Sequence, residues 1–339
     1  MTILIVLLCI AVLVLLITWG KLNPFLAFLL VSIGAGLWLG IPLSKITYSV
    51  QKGVGDMLGS LVIVITIGAM LGKLVAESGA AQKISTVLMK TFGEKNLKWA
   101  LMVTGFIVGI PLFYNVGFVL MIPLIFSVVY QYKLPAVYTG VPMLAALSVT
   151  HGFLPPHPSP AALVTQFNAN MGLTLLYGIA IAIPAIIIAG PVFAQTLKNI
   201  KSVPLQTFQP KNLPEEQLPG TFNSFITSLL PVLLLIITTI IPLLGPDQQV
   251  LNKAAAFIGE PAIVLLLALL VALFTLGIIQ GKKMKDLMSV CGDSIKDVAP
   301  ILLIVGGAGA LKQVFTDSGV SASIGDMLSN LSVHPLVLA

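Results

Sequence analysis

Hydrophobic and polar positions along this chain alternate on the scale of whole helices, not of single residues. Apolar runs fall at 2–19, 24–42, 57–76, 99–130, 134–150, 161–171, 172–197, 223–245, 260–280 and 298–316, with short polar pieces between them. Most are long enough to cross a hydrocarbon core ~30 Å thick as a helix. None has the two-residue alternation of a membrane barrel. The pattern predicts an all-α polytopic membrane protein. The first run, Ile3 to Trp19, has no basic residue before it and no small-x-small cleavage site, so it reads as a membrane helix and not a signal peptide. The longest polar segment, 198–220, holds four prolines and mixed charge and reads as an ordered, non-helical linker.

Composition narrows the class. Of 339 residues, 57% are hydrophobic and 9% charged. A soluble domain carries about 25% charged residues, so this chain could not cover a soluble surface. That excludes a soluble enzyme, a nucleic-acid binder and a disordered scaffold. The net charge of +6 comes from lysines alone, since there is no Arg. They sit mostly in short pieces between apolar runs, where they act as orientation signals. Cys9 and Cys291 lie far apart, and no metal-ligand spacing, Gly-rich phosphate loop or Ser-His-Asp arrangement is visible, so no cofactor or metal is expected.

The linker separates two halves that resemble each other at an offset of 240. Leu71 falls on Leu311, Ser78-Gly79 on Ser318-Gly319 and Ile84 on Ile324, with Glu77 and Asp317 as the acid before Ser-Gly. Residues 1–197 then form a first membrane repeat, 198–220 a cytoplasmic linker and 221–339 a second repeat. Residues 80–98 carry Lys83, Lys90, Lys95 and Lys98, and 281–297 carry four lysines. The positive-inside rule places both stretches in the cytoplasm, with 43–56 and 246–258 outside. The two copies therefore cross in opposite directions, as an inverted repeat requires. In this alignment 332–339 pairs with 96–103, so the second repeat is incomplete. A full copy would need about 100 further residues, and the expectation is a truncated or partial sequence.

Two segments put non-helical backbone at membrane depth. The first is Gly109-Ile-Pro-Leu-Phe-Tyr-Asn-Val-Gly117, inside a 32-residue run too long for one crossing and too short for two. Pro111 opposes a continuing helix, and a re-entrant hairpin over 99–130 fits both the length and the placement of Lys133. The second is His151-Gly-Phe-Leu-Pro-Pro-His-Pro-Ser-Pro160, read as non-helical throughout because it packs four prolines and a glycine into ten residues. A half-helix starting near Pro160–Ala161, capped by Ser159, would follow it. Discontinuous helices in transporters aim such ends at anionic substrates and coupling ions.

The stretches GAMLGKLVAESGAAQKI, GIPLFYNVGFVLMIPLIF and LSVTHGFLPPHPSPAAL resemble the gluconate permease family of sugar-acid:proton symporters, over essentially the whole chain. The resemblance implies an inverted-repeat transporter with re-entrant hairpins, broken helices and an elevator-like transport domain in the bacterial cytoplasmic membrane. Members are typically about 100 residues longer. They often carry Glu where this chain has Asn115, and usually Gly where it has Ser159.

The expected substrate-binding residues are Tyr114, Asn115, Gly117, Thr150, His151, Pro156, His157 and Ser159. Histidine as a residue type titrates near physiological pH, which makes His151 and His157 the candidate ion-coupling groups, with Asn115. Against these readings, Asn115 could cap the returning half-helix, the imidazoles could hold loop carbonyls, and Thr150 and Ser159 could satisfy the broken backbone. Lys73 and Glu77, four apart, read as snorkelling side chains or an interfacial ion pair, and Gly68, Gly72, Gly306, Gly307 and Gly309 as close helix contacts. The sequence thus predicts a secondary transporter of a small organic anion such as gluconate, coupled to H⁺ or alternatively to Na⁺. A channel or a membrane-embedded enzyme is the alternative of another class. The partners this reading admits are the anion, the coupling ion, the lipid bilayer and a second copy of the chain in a homo-oligomer.

Overall fold

The computed structural model describes residues 2–112, 114, 117–118, 121–122, 125, 128–129, 132–202, 213–244 and 247–329. Among these there is no strand. The helices are α1 (Thr2–Thr18), α2 (Pro24–Trp38), α3 (Leu43–Glu77), α4 (Ala80–Phe92), α5 (Leu97–Gly109), α6 (Ala136–Phe153), α7 (Pro158–Gln166), α8 (Met171–Ile187), α9 (Thr221–Leu244), α10 (Gln249–Ile258), α11 (Pro261–Ala272), α12 (Met284–Asp317) and α13 (Val320–Ser329). Among the described residues six segments are long and apolar enough to span a bilayer, including Leu43–Glu77, Ala136–Gln166, Thr221–Pro242 and Met284–Asp317. Leucines such as Leu4, Leu7, Leu15, Leu30 and Leu37 face outward, which suits a hydrocarbon solvent and not water. The chain is a multi-pass membrane protein.

Local chemistry fixes the helix starts. Asn23 Oδ1 accepts the Phe25 N–H at 2.9 Å while Pro24 opens α2. Asn170 does the same for Leu173 at α8. Both are side-chain N-caps for amides that have no carbonyl partner in the first turn.

Two helices run beyond the apolar stretches read from the sequence. α3 begins at Leu43, not near 57, and α12 at Met284, not 298. A helix closes its own backbone hydrogen bonds, so it can continue into polar surroundings. Local pairs support these extensions: Lys52 with Asp56 at 2.5 Å and Lys296 with Asp293 at 2.7 Å. The expected Lys73–Glu77 pair does not form. Lys73 Nζ meets Asp297 at 2.6 Å, and the Glu77 carbonyl accepts from Lys282 at 3.1 Å.

Both long helices end in the same corner. Gly79 and Gly319 have φ of +82° and +77°, the left-handed conformation that favours glycine after a helix end. Ser78 Oγ donates to the Val75 carbonyl and Ser318 Oγ to that of Phe315, each at 3.1 Å. The corners repeat at the offset of 240 read from the sequence.

By packing, the chain divides into two units, whose boundaries at 62/63 and 297/298 fall inside α3 and α12. In the first, Cys9, Val31, Ala35, Ile46, Val50, Ala310 and Val314 form the core. There α3 and α12 touch backbone to backbone at Gly53 and Gly309, where a Cβ on either would collide with the other's carbonyl. In the second unit, Ile110, Leu154, Leu175, Ala182, Val232, Leu235 and Val264 form a core cluster. Two of these, Ile110 and Leu154, belong to the helix breaks.

A π-turn at Ile188–Val192 extends α8, and Gly190 within it lies against the Pro142 backbone of α6. A second π-turn, Leu273–Gly277, extends α11. It presents Thr275 to α9, where Asn223 Nδ2 donates to the Thr275 carbonyl at 2.9 Å. Thr227 Oγ1 donates to Asn223 Oδ1 at 2.9 Å and lies 3.1 Å from Thr275 Oγ1.

Candidate functional site

Two helix breaks meet inside the second unit. The first ends α5. At about 1.5 Å per residue its 13 residues reach only ~20 Å, short of a crossing. Along α5, Gly105 lies against Met143 and Ala146 of α6, and Gly109 against Leu147 and Thr150. The two helices therefore run side by side in the same direction, joined through a Gly-x-x-x-Gly face that lets the backbones approach. After the turn at 110–112 the contacts reverse order. Gly117 lies beside Leu147, and Ile125 beside Gly140. These two described residues thus follow α6 in the direction opposite to α5. Gly72 of α3 borders the turn, where a Cβ would stand 2.6 Å from the Pro111 carbonyl oxygen.

The second break is shorter than the sequence suggested. α6 continues through His151 to Phe153, and α7 begins at Pro158, so only 154–157 are non-helical. The prolines explain this. Pro158 and Pro160 occupy the first turn of α7, where no intrahelical N–H is required. Gly152 costs the last turn of α6 little. Pro155–Pro156 is a cis peptide. Ser159 is not the cap. His157 holds that position, without a side-chain cap bond, and Ser159 is an exposed first-turn residue.

The breaks are tied together by imidazoles. His157, 5% exposed, places Nε2 2.9 Å from the Gly109 carbonyl, and its Nδ1 lies 3.3 Å from His151 Nδ1. Their ring centroids are 4.8 Å apart. A carbonyl only accepts, so His157 Nε2 carries its hydrogen. In the neutral ring His157 Nδ1 is then an acceptor, and His151 Nδ1 must donate to it. The result is a directed chain, His151 Nδ1–H to His157 Nδ1 and His157 Nε2–H to Gly109, across 48 residues of sequence. Tyr114 follows, its ring 6.5 Å from that of His151 and stacked on Phe118 at 6.0 Å.

The remaining predicted residues divide. Thr150 is fully buried, and its hydroxyl bonds the Ala146 and Leu147 carbonyls of its own helix at 3.0 and 2.9 Å. Gly117 is buried against Leu147, and Pro156 is half-buried in the break. Asn115 lies outside the described residues. At the start of α7, Pro158 and Pro160 have no N–H, and the Ala161 N–H bonds the His157 carbonyl at 2.9 Å. Ser159 supplies the one amide in that turn without a backbone partner among the described residues, at the positive end of the helix. Sequence reading singled out neither the Asn223–Thr227–Thr275 network nor the fully buried Thr104 and Ser228, whose hydroxyls have no partner among the described residues. Asn and Thr four apart in an apolar helix were the available signal for the network.

Comparison with known proteins places these features in a family. The model for GntP family permeases matches residues 1–339. The high-affinity gluconate transporter of Escherichia coli (strain K12) is 46% identical over 320 residues, covering 94% of this chain and 73% of that protein. The Gnt-II system L-idonate transporter of the same organism is 42% identical over 330 residues, covering 97% and 75%. The gluconate permease of Bacillus subtilis (strain 168) is 41% identical over 355 residues, covering 100% and 78%.

Proposed function

We propose, for a chain that belongs to the GntP permease family, that it imports gluconate or a closely related sugar acid through the bacterial cytoplasmic membrane with H⁺ as the coupling ion. The family makes it a transporter and not an enzyme. Relatives named for gluconate and for L-idonate support a sugar-acid anion as the cargo. The inverted repeat, supported by the matching corners at Gly79 and Gly319, and a hairpin entering and leaving on one face complete the reading.

The observation that carries the mechanism is the imidazole pair at the helix break. A proton arriving at the half-exposed His151 Nε2 leaves that ring charged, with its Nδ1–H still donated to His157 Nδ1, 3.3 Å away. The buried His157 stays neutral, with Nε2–H on the Gly109 carbonyl. Two imidazolium charges 4.8 Å apart repel by about 3 kcal/mol at an effective dielectric near 20, so the pair stores one extra proton and not two. That matches a symporter's need for a single titrating switch. The carboxylate of the sugar acid meets the Ser159 N–H and hydroxyl at the positive end of α7. The principal donor is a backbone group, so a Gly in place of Ser159, which the family resemblance implies is common, would retain it. Protonation of the pair next to this end strengthens anion binding, which links the two fluxes. Tyr114 and Asn115 contribute hydroxyl and amide groups to the polyol chain.

Uptake into proteoliposomes under imposed gradients tests this. Gluconate should accumulate under an inward proton gradient and not under a sodium gradient alone. H157Q and H151Q, each keeping a hydrogen-bonding side chain without titration, should lose concentrative uptake while still equilibrating substrate. Accumulation by both variants with the pH dependence of the original protein would remove the histidines from coupling. Accumulation driven by sodium would replace H⁺ with Na⁺.

A further inference from the structure

We infer that the second unit holds a site for the phosphate headgroup of an anionic phospholipid, where α5 and α6 begin. A cavity of about 300 Å³ opens there, lined by Lys95, Lys98 and Lys198. These come from two chain segments: Lys95 and Lys98 from the stretch that enters α5, and Lys198 from the stretch after α8. Among the described residues no carboxylate lines the cavity, and none of the three lysines is in an ion pair. Lys83 and Lys90 on α4, by contrast, both face Glu215 at 3.6–3.7 Å. Three uncompensated ammonium groups around one concavity call for a multiply accepting anion.

The helix ends add to this charge. Because α5 and α6 run side by side in the same direction, their positive ends sit together at the cavity. Ser202 covers two amides there, its carbonyl accepting from Ala136 at 3.1 Å and its Oγ from Val137 at 3.0 Å. Tyr138 also lines the wall.

The apolar part of the wall selects a lipid over a soluble anion. Leu97, Leu101, Leu134 and Pro135 form it directly below the lysines. Trp99, in the first turn of α5, packs against the cluster of Met102, Ala146 and Ile186. A free phosphate or sugar acid gains nothing from leucines, whereas a glycerophosphate with attached chains buries its apolar portion against them. The lysine distribution assigns this face to the cytoplasm, the leaflet side on which basic pockets between helices take anionic headgroups.

Native mass spectrometry of the purified full chain in detergent, titrated with phosphatidylglycerol or phosphatidylcholine, tests the site. The protein should retain phosphatidylglycerol saturably and phosphatidylcholine no more than at background. The triple variant K95Q/K98Q/K198Q should bind phosphatidylglycerol about a hundredfold more weakly, from roughly a fivefold contribution per lysine near a membrane surface. K95R/K98R/K198R should retain it, and K21Q/K283Q/K285Q, with lysines outside the cavity, should bind as the original does. Equal retention of phosphatidylcholine, or unchanged binding by the glutamine triple, overturns the proposal. So does loss of binding in the arginine triple while its unfolding temperature is unchanged. Two arms need only the unaltered protein. Raising ionic strength ~tenfold should release the lipid, and inorganic phosphate or gluconate at matched concentration should not. Insensitivity to salt, or displacement by either soluble anion, refutes a lipid site.

Discussion

Replacing Gly109 by Ala tests the contact that joins the two helix breaks. Gly109 ends α5 with ordinary helical geometry, so backbone strain does not enter. Alanine in a helix gains about 0.5–1 kcal/mol over glycine. The added Cβ, however, would clash with Thr150 Oγ1 and lie 3.3 Å from both Thr150 Cβ and Leu147 Cδ2. Thr150 cannot swing away freely, because its hydroxyl holds two carbonyls of α6 and the residue is fully buried. Overpacking of this kind costs about 1–3 kcal/mol. Moving α5 off α6 also stretches the 2.9 Å bond from His157 to the Gly109 carbonyl, worth about 1 kcal/mol. The net expectation is a loss of about 1–3 kcal/mol. T150A alone should cost under ~1 kcal/mol, since the two carbonyls it releases keep their helix partners. In the double variant the clash is gone, so G109A/T150A should be more stable than G109A by about 1–2 kcal/mol. Unfolding of the four proteins in one detergent, followed by ellipticity, reads this as a cycle. Concentrative uptake should fall in G109A and return in the double variant. If G109A is as stable as the original, or T150A adds its own loss on top of that of G109A, α5 and α6 do not pack through these two positions.

The polar network at the π-turn should behave as a unit: N223A and T227V each remove one partner of a buried set, should each cost about 1–3 kcal/mol, and together should cost less than their sum in the same unfolding assay. Single cysteines introduced at Lys90 and Lys285 should react with a membrane-impermeant maleimide from the cytoplasmic face and one at Lys253 from outside; labelling of positions 90 and 285 from opposite faces would defeat the opposed crossing of the two long helices.

The sequence by itself determined what depends on neighbours along the chain. The apolar runs required helices in a bilayer. The prolines at 111, 155 and 156 marked where helices break, and the Ser-Gly pairs at 78–79 and 318–319 marked a recurrence that the structure forms as glycines of positive φ. The family was legible in the same stretches. What the sequence could not decide was how far a break extends and which distant groups share it. The segment 151–160 contains enough prolines to be non-helical throughout, yet two of them fit a first turn, and only 154–157 leave the helix. Lys73 had an acid four residues on and took one 224 residues away. Thr150 looked available, but close packing at Gly109 committed its hydroxyl to its own helix. Whether His157 bonds water, substrate or Gly109 is likewise set by how closely α5 approaches α6. That approach depends on small residues meeting between helices, and side-chain volume at a contact between distant segments has no periodic signature in the chain.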